Sequence, residues 1–331
     1  MKVKKTKTPA SCSSKKMNVG GQAVIEGVLM RSPNYYAVSV RHKNGTIKSM
    51  SAPVNSITKK YPFLKWPVLR GFISLIESMT LGFKALDYSA QIYEEGYENK
   101  KKKKLSKAET EKKEKKEKLE MTVTYIISFA FALFLFIYLP VQGTKLLEKA
   151  LPGLAENRVW FNLIVVTFKL AIFFLYIWAI SFMEDVKRLF MYHGAEHKAI
   201  YTFEDGKKLT QKNMLPYTTL HPRCGTAFIF LTMLVSIIIF VLLLPPEFKI
   251  WQRILLEIPL LIPIAGLSYE LLKFSDKFQN NFFIKILIAP GLAFQKITTK
   301  EPDAKMLEVA ANSINEVLKL EKKHRPAAVK L

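Results

Sequence analysis

The chain has 331 residues, of which 50% are hydrophobic and 23% are charged, and its formal net charge at pH 7 is +23. Such a chain can either bury a large core or fill a membrane. The two cysteines, Cys12 and Cys224, exclude a disulfide framework and favour reduced thiols that face a cytosol.

Much of the positive charge lies in two segments without apolar periodicity. Residues 1–16 contain six lysines and no acid, and residues 100–118 contain eleven lysines and four glutamates. We therefore predict a basic disordered tail at 1–17 and a charged linker at 99–120. A folded nucleic-acid groove has little support from this distribution, whereas anionic lipid headgroups would attract such segments readily. The tail does not lead into an apolar stretch, so we predict no cleavable export signal.

Residues 18–98 predict a cytosolic β element followed by an amphipathic helix. Alternating runs flank Asn44-Gly45, which is the strongest short hairpin signal, and they place the β element at 20–58. From Pro67 to Tyr93 apolar residues recur at helical spacing, which predicts about seven turns of helix with a break near Gly82. This helix is expected either to lie on the membrane or to pack on the β element.

Two charged residues of the β element, Glu26 and Arg31, are candidates for a functional site. A structural ion pair or a solvated face is the favoured interpretation of both.

Apolar segments predict about four transmembrane helices in a membrane domain at residues 121–298. Each clear segment is long enough to cross about 30 Å of hydrocarbon; these segments are Val123–Val141, Val159–Met183 and Thr226–Leu244. Ile254–Phe274 is a weaker fourth candidate, which its prolines would kink. Phe282–Phe294 is too short to span and predicts an interfacial or re-entrant piece. The predicted fold class is thus an α+β membrane protein, and residues 299–331 predict a closing amphipathic helix and tail.

The basic residues predict the orientation of these spans. Residues 142–158 contain three lysines or arginines and residues 245–253 contain two, whereas the loop at 184–225 contains seven. The positive-inside rule then places both termini and the 184–225 loop on the cytosolic side of a cytoplasmic membrane.

A cluster of metal-ligand residue types lies in this loop. Three of the five histidines and one of the two cysteines fall between His193 and Cys224. On a helix His193, Glu196 and His197 share a face, and His-x-x-Glu-His is the pattern of inverted zincins. The predicted ends of the spans bring further donors to the same side of the membrane; the candidate ligands are His193, His197, His221, Cys224 and Glu270.

The pattern predicts a zinc or other divalent transition-metal site in which Glu196 would be the general base. An alternative is a closed structural site made by His193, His197, His221 and Cys224, with no open position for water. Another is that the histidines anchor a helix at the headgroups, because Gly194 is a poor helix former and the motif is short.

Several strings in this chain are similar to those of one bacterial family; they are Gly20–Val28, Arg70–Gly71, Tyr192–Ile200, His221–Thr226, Ser268–Glu270, Pro290–Gly291 and Thr298–Pro302. On these residues the chain resembles, over roughly residues 18–320, the YqhQ-like integral membrane proteins of unknown function, some of which are described as predicted metal-dependent enzymes. The resemblance implies an integral-membrane location and a metal site.

Two functions are therefore expected as alternatives. One is a metal-dependent hydrolase that acts at the cytosolic face on a membrane-associated peptide or lipid. The other is a non-catalytic scaffold or assembly factor with a structural metal site. The expected partner in either case is the lipid bilayer with its anionic headgroups, and the sequence predicts neither the substrate nor the oligomeric state.

Overall fold

The computed structural model describes residues 17–95, 107–153, 157–278 and 281–324. The predicted basic tail lies outside these residues except for Met17. Within them the chain is α+β, as predicted, with one small sheet near the amino terminus and helices elsewhere.

The strands are β1 (Gly20–Val24), β2 (Gly27–Arg31), β3 (Tyr35–Arg41) and β4 (Ile47–Pro53). The helices are α1 (Ile57–Lys60), α2 (Leu69–Glu95), α3 (Lys107–Leu133), α4 (Leu139–Ala150), α5 (Arg158–Ile180), α6 (Glu184–Glu204), α7 (Gln211–Met214), α8 (Gly225–Leu243), α9 (Ile250–Lys277), α10 (Phe282–Thr298) and α11 (Ala304–His324). A 3₁₀ turn at Pro62–Lys65 follows α1, and a π-helical segment at Phe134–Tyr138 joins α3 to α4.

The four strands form an antiparallel meander in the order β1-β2-β3-β4. The hairpin predicted at Asn44-Gly45 is confirmed: Gly45 has a φ of +89°, which favours glycine, and Thr46 N–H donates to Asn44 Oδ1 at 3.0 Å. The strand register alternates side chains between the two faces of the sheet, and each face buries apolar residues against helices.

Helix α2 covers one face of the sheet, and α6 and α11 cover the other. The break predicted near Gly82 is wrong, because α2 is continuous from Leu69 to Glu95. A Cβ on Gly82 would lie 2.5 Å from Oε1 of Gln22 on β1. The amphipathic helix predicted at Pro67–Tyr93 therefore packs on the β element along its second half.

In the part of the chain that the structure describes, four helices are long and apolar enough to cross a membrane: Thr122–Ala150, Arg158–Ile180, Gly225–Leu243 and Ile250–Lys277. They coincide with the four predicted spans. The segment at Phe282–Phe294 lies within helix α10, which packs against the start of α8 where Gly291 touches Ala227. Of the predicted charged linker, residues 99–106 lie outside the described residues, and residues 107–120 belong to helix α3, in which lysine and glutamate are good helix formers.

Charged groups within the spans pair with one another. Lys169 of α5 donates to Glu257 of α9 at 2.7 Å, and the wholly buried Arg253 donates to the Pro245 carbonyl at 3.0 Å. Hydrocarbon cannot solvate such groups, so the pair and its hydrogen bonds fasten α5 to α9.

The amino-terminal end of α2 meets α9 by direct backbone contact. Gly71 of α2 packs on Gly266 and Tyr269 of α9, and the side chain of Arg70 forms a bidentate ion pair with Glu270. Since α2 also packs on the sheet, this contact connects the sheet to the candidate membrane-spanning helices.

Gly71→Ala is expected to destabilise the protein. The added Cβ would lie 2.7 Å from Tyr269 Cβ and 2.9 Å from the Gly266 carbonyl oxygen, so the two helices would have to separate, at a cost of about 1–3 kcal/mol. Gly143→Ala is the matched control, because its Cβ would lie 3.5 Å from the Phe168 ring, in ordinary contact. Thermal unfolding in mild detergent measures both, and equal stability of the two variants would refute the close α2–α9 contact.

Candidate metal centre

Helix α6 carries three of the residues that the sequence singled out: His193, Glu196 and His197. Its first turn contains Glu184 and Asp185, which are favourable at the positive end of a helix dipole. Gly194 faces the Lys300 carbonyl oxygen so closely that a Cβ would overlap it, and Lys300 N–H donates to the Phe190 carbonyl at 2.9 Å. The close packing of this segment on α6 therefore requires glycine at position 194, although glycine is a poor helix former.

Lys198, the residue after His197, fastens two neighbouring segments to α6. Its buried ammonium group donates to the Leu215 carbonyl at 3.0 Å and pairs with Glu301 at 2.8 Å. These contacts hold the loop after α7 and the segment after α10 against the helix.

The two histidine rings are oriented by backbone carbonyl groups. His193 Nδ1 lies 2.8 Å from the Thr298 carbonyl oxygen, and His197 Nδ1 forms a short hydrogen bond with the Thr219 carbonyl. A carbonyl oxygen can only accept, so each Nδ1 carries the proton and each Nε2 keeps its lone pair. An imidazole whose Nδ1–H is held in this way is the usual arrangement of a histidine that binds a metal.

Both Nε2 atoms are directed toward Cys224, the residue that precedes α8. His193 Nε2 lies 3.1 Å from Cys224 Sγ, and the ligand atoms of His193, His197 and Cys224 all lie within 4.8 Å of one another. His197 Nε2 is buried and has no hydrogen-bond partner of normal geometry among the described residues. A buried polar atom without a partner is costly and calls for an explanation such as an ion.

Burial and neighbouring groups set the protonation of this cluster. Burial lowers the pKa of His197, which favours the neutral ring that a metal needs. Burial by itself would raise the pKa of the Cys224 thiol, but interactions with His197 and Thr226 outweigh it, so the pKa lies below its ordinary value. Both shifts favour the ligand forms of the side chains.

Glu196 lies on the sheet side of the cluster. It is buried, and burial raises the pKa of its carboxyl group to about 8. A Cβ on Gly21 of β1 would lie 3.0 Å from Glu196 Cγ. Gly21 was not among the predicted site residues, although a glycine pair inside a strand signals close approach by another group.

His221 is near the cluster but outside the group of three ligand atoms. Its ring centroid lies 5.4 Å from that of His197, its Nδ1 accepts from the Arg223 N–H, and its Nε2 lies 3.8 Å from Glu204. Burial lowers its pKa to about 4. Both backbone groups of His221 are hydrogen-bonded to the side chain of Gln295, at 2.7 and 2.8 Å.

The other predicted site residues lie elsewhere. Glu270 is occupied by its bidentate pair with Arg70, so the structure does not bring it to the cluster. Glu26 pairs with Arg188 of α6 and accepts from the Tyr192 hydroxyl at 3.2 Å, and Arg31 lies 3.5 Å from Glu77. The structural interpretation of Glu26 and Arg31 therefore agrees with their contacts.

A cavity of about 290 Å³ opens beside the cluster. Glu196, His197, His221 and Cys224 line one side of it, and residues 18–21 line the other. Gly225 at the start of α8 and Asp276 near the end of α9 also line it, so the cavity lies where two membrane helices end.

The fold and the site define the class: an α+β protein with four candidate membrane-spanning helices among the described residues, and with two imidazoles and a thiol clustered next to the start of α8. The chain belongs to the family described as "Protein of unknown function (DUF1385)", whose model matches residues 66–320. It is similar to "Uncharacterized protein YqhQ" of Bacillus subtilis (strain 168), with 35% identity over 302 residues, which cover 91% of this chain and 92% of that protein. The family resemblance predicted from the sequence is confirmed. No solved structure matches the chain.

Gln295→Leu is expected to destabilise the loop that carries His221. The change leaves the buried N–H of His221 without a partner, at about 1–3 kcal/mol, and leaves its C=O with only the Cys224 N–H at 3.2 Å. Gln211→Leu, at an exposed position of α7, is the control. The measurement is the free energy of unfolding by denaturant in mild detergent. Our account of the loop is wrong if both variants unfold alike.

Proposed function

We propose that this protein is a metal-dependent hydrolase of the membrane, in which His193, His197 and Cys224 hold zinc or another divalent transition metal. The observation that carries the proposal is the pair of imidazoles whose Nδ1–H groups are fixed by carbonyls and whose Nε2 atoms face one thiol. Two nitrogens and one sulfur suit zinc better than magnesium or calcium, which prefer oxygen.

Three protein ligands leave a tetrahedral ion with one open position, which is typical of catalytic rather than structural zinc sites. The position of His221 supports three ligands over four, because its Nδ1 already accepts from Arg223 N–H and its Nε2 faces Glu204. The adjoining cavity gives a substrate access to the centre.

When bound, the metal would supply a water of lowered pKa and a Lewis acid for a carbonyl or phosphoryl oxygen. Glu196 is the candidate general base, because it follows His193 by three residues on α6 and lies against the same cluster. The proposed substrate is a peptide or lipid associated with the membrane, because the cavity lies at the ends of α8 and α9.

The proposed location is the cytoplasmic membrane, with both termini and the metal centre on the cytosolic side. The excess of basic residues in the 184–225 loop supports this orientation, and four spans return the chain to its starting side. Anionic headgroups on that side would attract the lysine-rich segments.

Cysteine labelling tests the orientation. In a variant with Cys12 and Cys224 replaced by serine, Glu247→Cys lies between the third and fourth spans and Lys208→Cys between the second and third. We expect a membrane-impermeant maleimide to label only Glu247→Cys on intact cells and to label both after lysis. Labelling of Lys208→Cys alone on intact cells would reverse the proposed topology.

Metal analysis of the purified protein tests the site. We expect about one zinc per chain, and we expect His193→Ala, His197→Ala and Cys224→Ala each to lower zinc affinity at least tenfold by removing a ligand. His42→Ala changes a hairpin histidine and is the control. His221→Asn is expected to keep the metal; its loss in that variant would favour a four-ligand structural site.

Glu196→Gln separates catalysis from a structural role. The amide cannot accept the proton of water, so we expect hydrolysis to fall by about 10²–10⁴-fold while the zinc content stays unchanged. Zinc content and turnover are measured on the same preparation. Unaltered cellular function in a zinc-loaded Glu196→Gln protein would favour the non-catalytic scaffold.

A further inference from the structure

The candidate metal centre lies next to the free side of an edge strand. Among the described strands β1 pairs with β2 alone, and the pair Val24–Gly27 closes a two-residue turn. A pair that closes such a turn is hydrogen-bonded, and hydrogen-bonded pairs alternate along the strand. Val24, Gln22 and Gly20 therefore direct their backbone groups to β2, and Ala23 and Gly21 direct theirs away from the sheet.

The close approach of Gly21 to Glu196 places α6 beside this edge. A Cβ on Gly21 would lie 3.0 Å from Glu196 Cγ, and both residues line the 290 Å³ cavity. Strand β1 and the candidate general base are therefore adjacent.

A cavity lies on each face of the sheet along this edge. The 290 Å³ cavity at the metal cluster is on the α6 side, and a second cavity of about 330 Å³ is on the α2 side, between Gln22 and Leu81. Asn18, Gly20 and Gly21 line both. Successive side chains of a strand point to opposite faces, so a chain added to β1 would place them alternately in the two cavities.

We propose that the outward edge of β1 binds a polypeptide in extended conformation, as an added strand, and presents it to the metal centre for hydrolysis. This inference rests on the proposed function and narrows its substrate to peptides. Main-chain hydrogen bonds to Gly21 and Ala23 supply binding, and the two cavities select alternate side chains. Because the first cavity includes Gly225 and Asp276, the edge is positioned for a segment that leaves the bilayer beside α8 and α9.

In the reaction, the oxygen of water bonds to the carbonyl carbon of the bound peptide and the C–N bond breaks. Glu196 accepts a proton from the water and passes it to the departing amine. The products are one new carboxylate and one new amine. No oxidant or further co-reactant is needed.

The test uses the full-length, zinc-loaded protein in phospholipid nanodiscs with a degenerate library of internally quenched octapeptides. Ala23→Pro removes the outward N–H without removing a bond of the sheet, because proline is tolerated on edge strands. We expect kcat/KM to fall at least tenfold, mainly through KM. Ala23→Val keeps the N–H and is the matched variant with which the kcat/KM of Ala23→Pro is compared. Zinc content and thermal unfolding are measured for each variant.

A second measurement needs no change in the protein and decides the matter if Ala23→Pro does not fold. Peptides cleaved from the library are resynthesised with one N-methyl group at each position in turn. An added strand directs alternate amides to β1, so we expect N-methylation to abolish cleavage at every second position on one side of the scissile bond. Equal tolerance at all positions, or equal kcat/KM for Ala23→Pro and Ala23→Val, overturns the proposal.

Two further outcomes separate this inference from the proposed function. Zinc-loaded protein that hydrolyses phosphatidylglycerol and phosphatidylethanolamine vesicles but no peptide would overturn the peptide substrate and leave the hydrolase intact. Protein that binds no metal at any zinc concentration would overturn the hydrolase itself, and the peptide reaction with it.

Discussion

The site depends on one close approach, that of helix α6 to the extended segment at residues 298–300. The Lys300 carbonyl oxygen lies where a side chain on Gly194 would be, and Lys300 N–H donates to the Phe190 carbonyl of the same helix. The Thr298 carbonyl two residues earlier then reaches His193 Nδ1. If the helix moved outward by the width of a methyl group, the His193 ring would lose its hydrogen bond and with it the orientation of its Nε2 toward Cys224.

Turn residues and hydrophobic periodicity predicted the secondary-structure elements well, because neighbouring residues in the sequence determine these elements. The hairpin at Asn44-Gly45 follows from turn chemistry, and the four spans follow from the length and apolarity of their segments. Helical spacing placed His193 and His197 on one face of α6, which the structure has. Long-range packing was not predictable in this way. The ion pair between Arg70 and Glu270 depends on the crossing of α2 and α9 at Gly71 and Gly266. These two glycines lie 195 residues apart in the chain, so hydrophobic periodicity does not predict their contact.

The charges within the membrane illustrate the same limit. Lys169 and Glu257 showed no relation in the sequence, yet α5 and α9, which run in the same direction, bring them to 2.7 Å, with Arg253 one turn from Glu257. Lys169 and Arg253 also lie over the Phe240 and Phe161 rings. Paired and covered in this way, these groups join two helices instead of lining a path for ions.

The position of Glu196 bears on whether the centre is catalytic or structural. A closed structural site gains nothing from the buried carboxyl group of Glu196, and burial of such a group without full hydrogen bonding lowers stability. The same cost is common where a carboxyl group must exchange a proton with a bound water. The chain also keeps glycine at position 21, where any side chain would meet the Leu29 carbonyl and Glu196. Strand β1 and helix α6 therefore pack closely around this carboxyl group. The loss of stability that its burial causes supports the proposed hydrolytic centre over the scaffold.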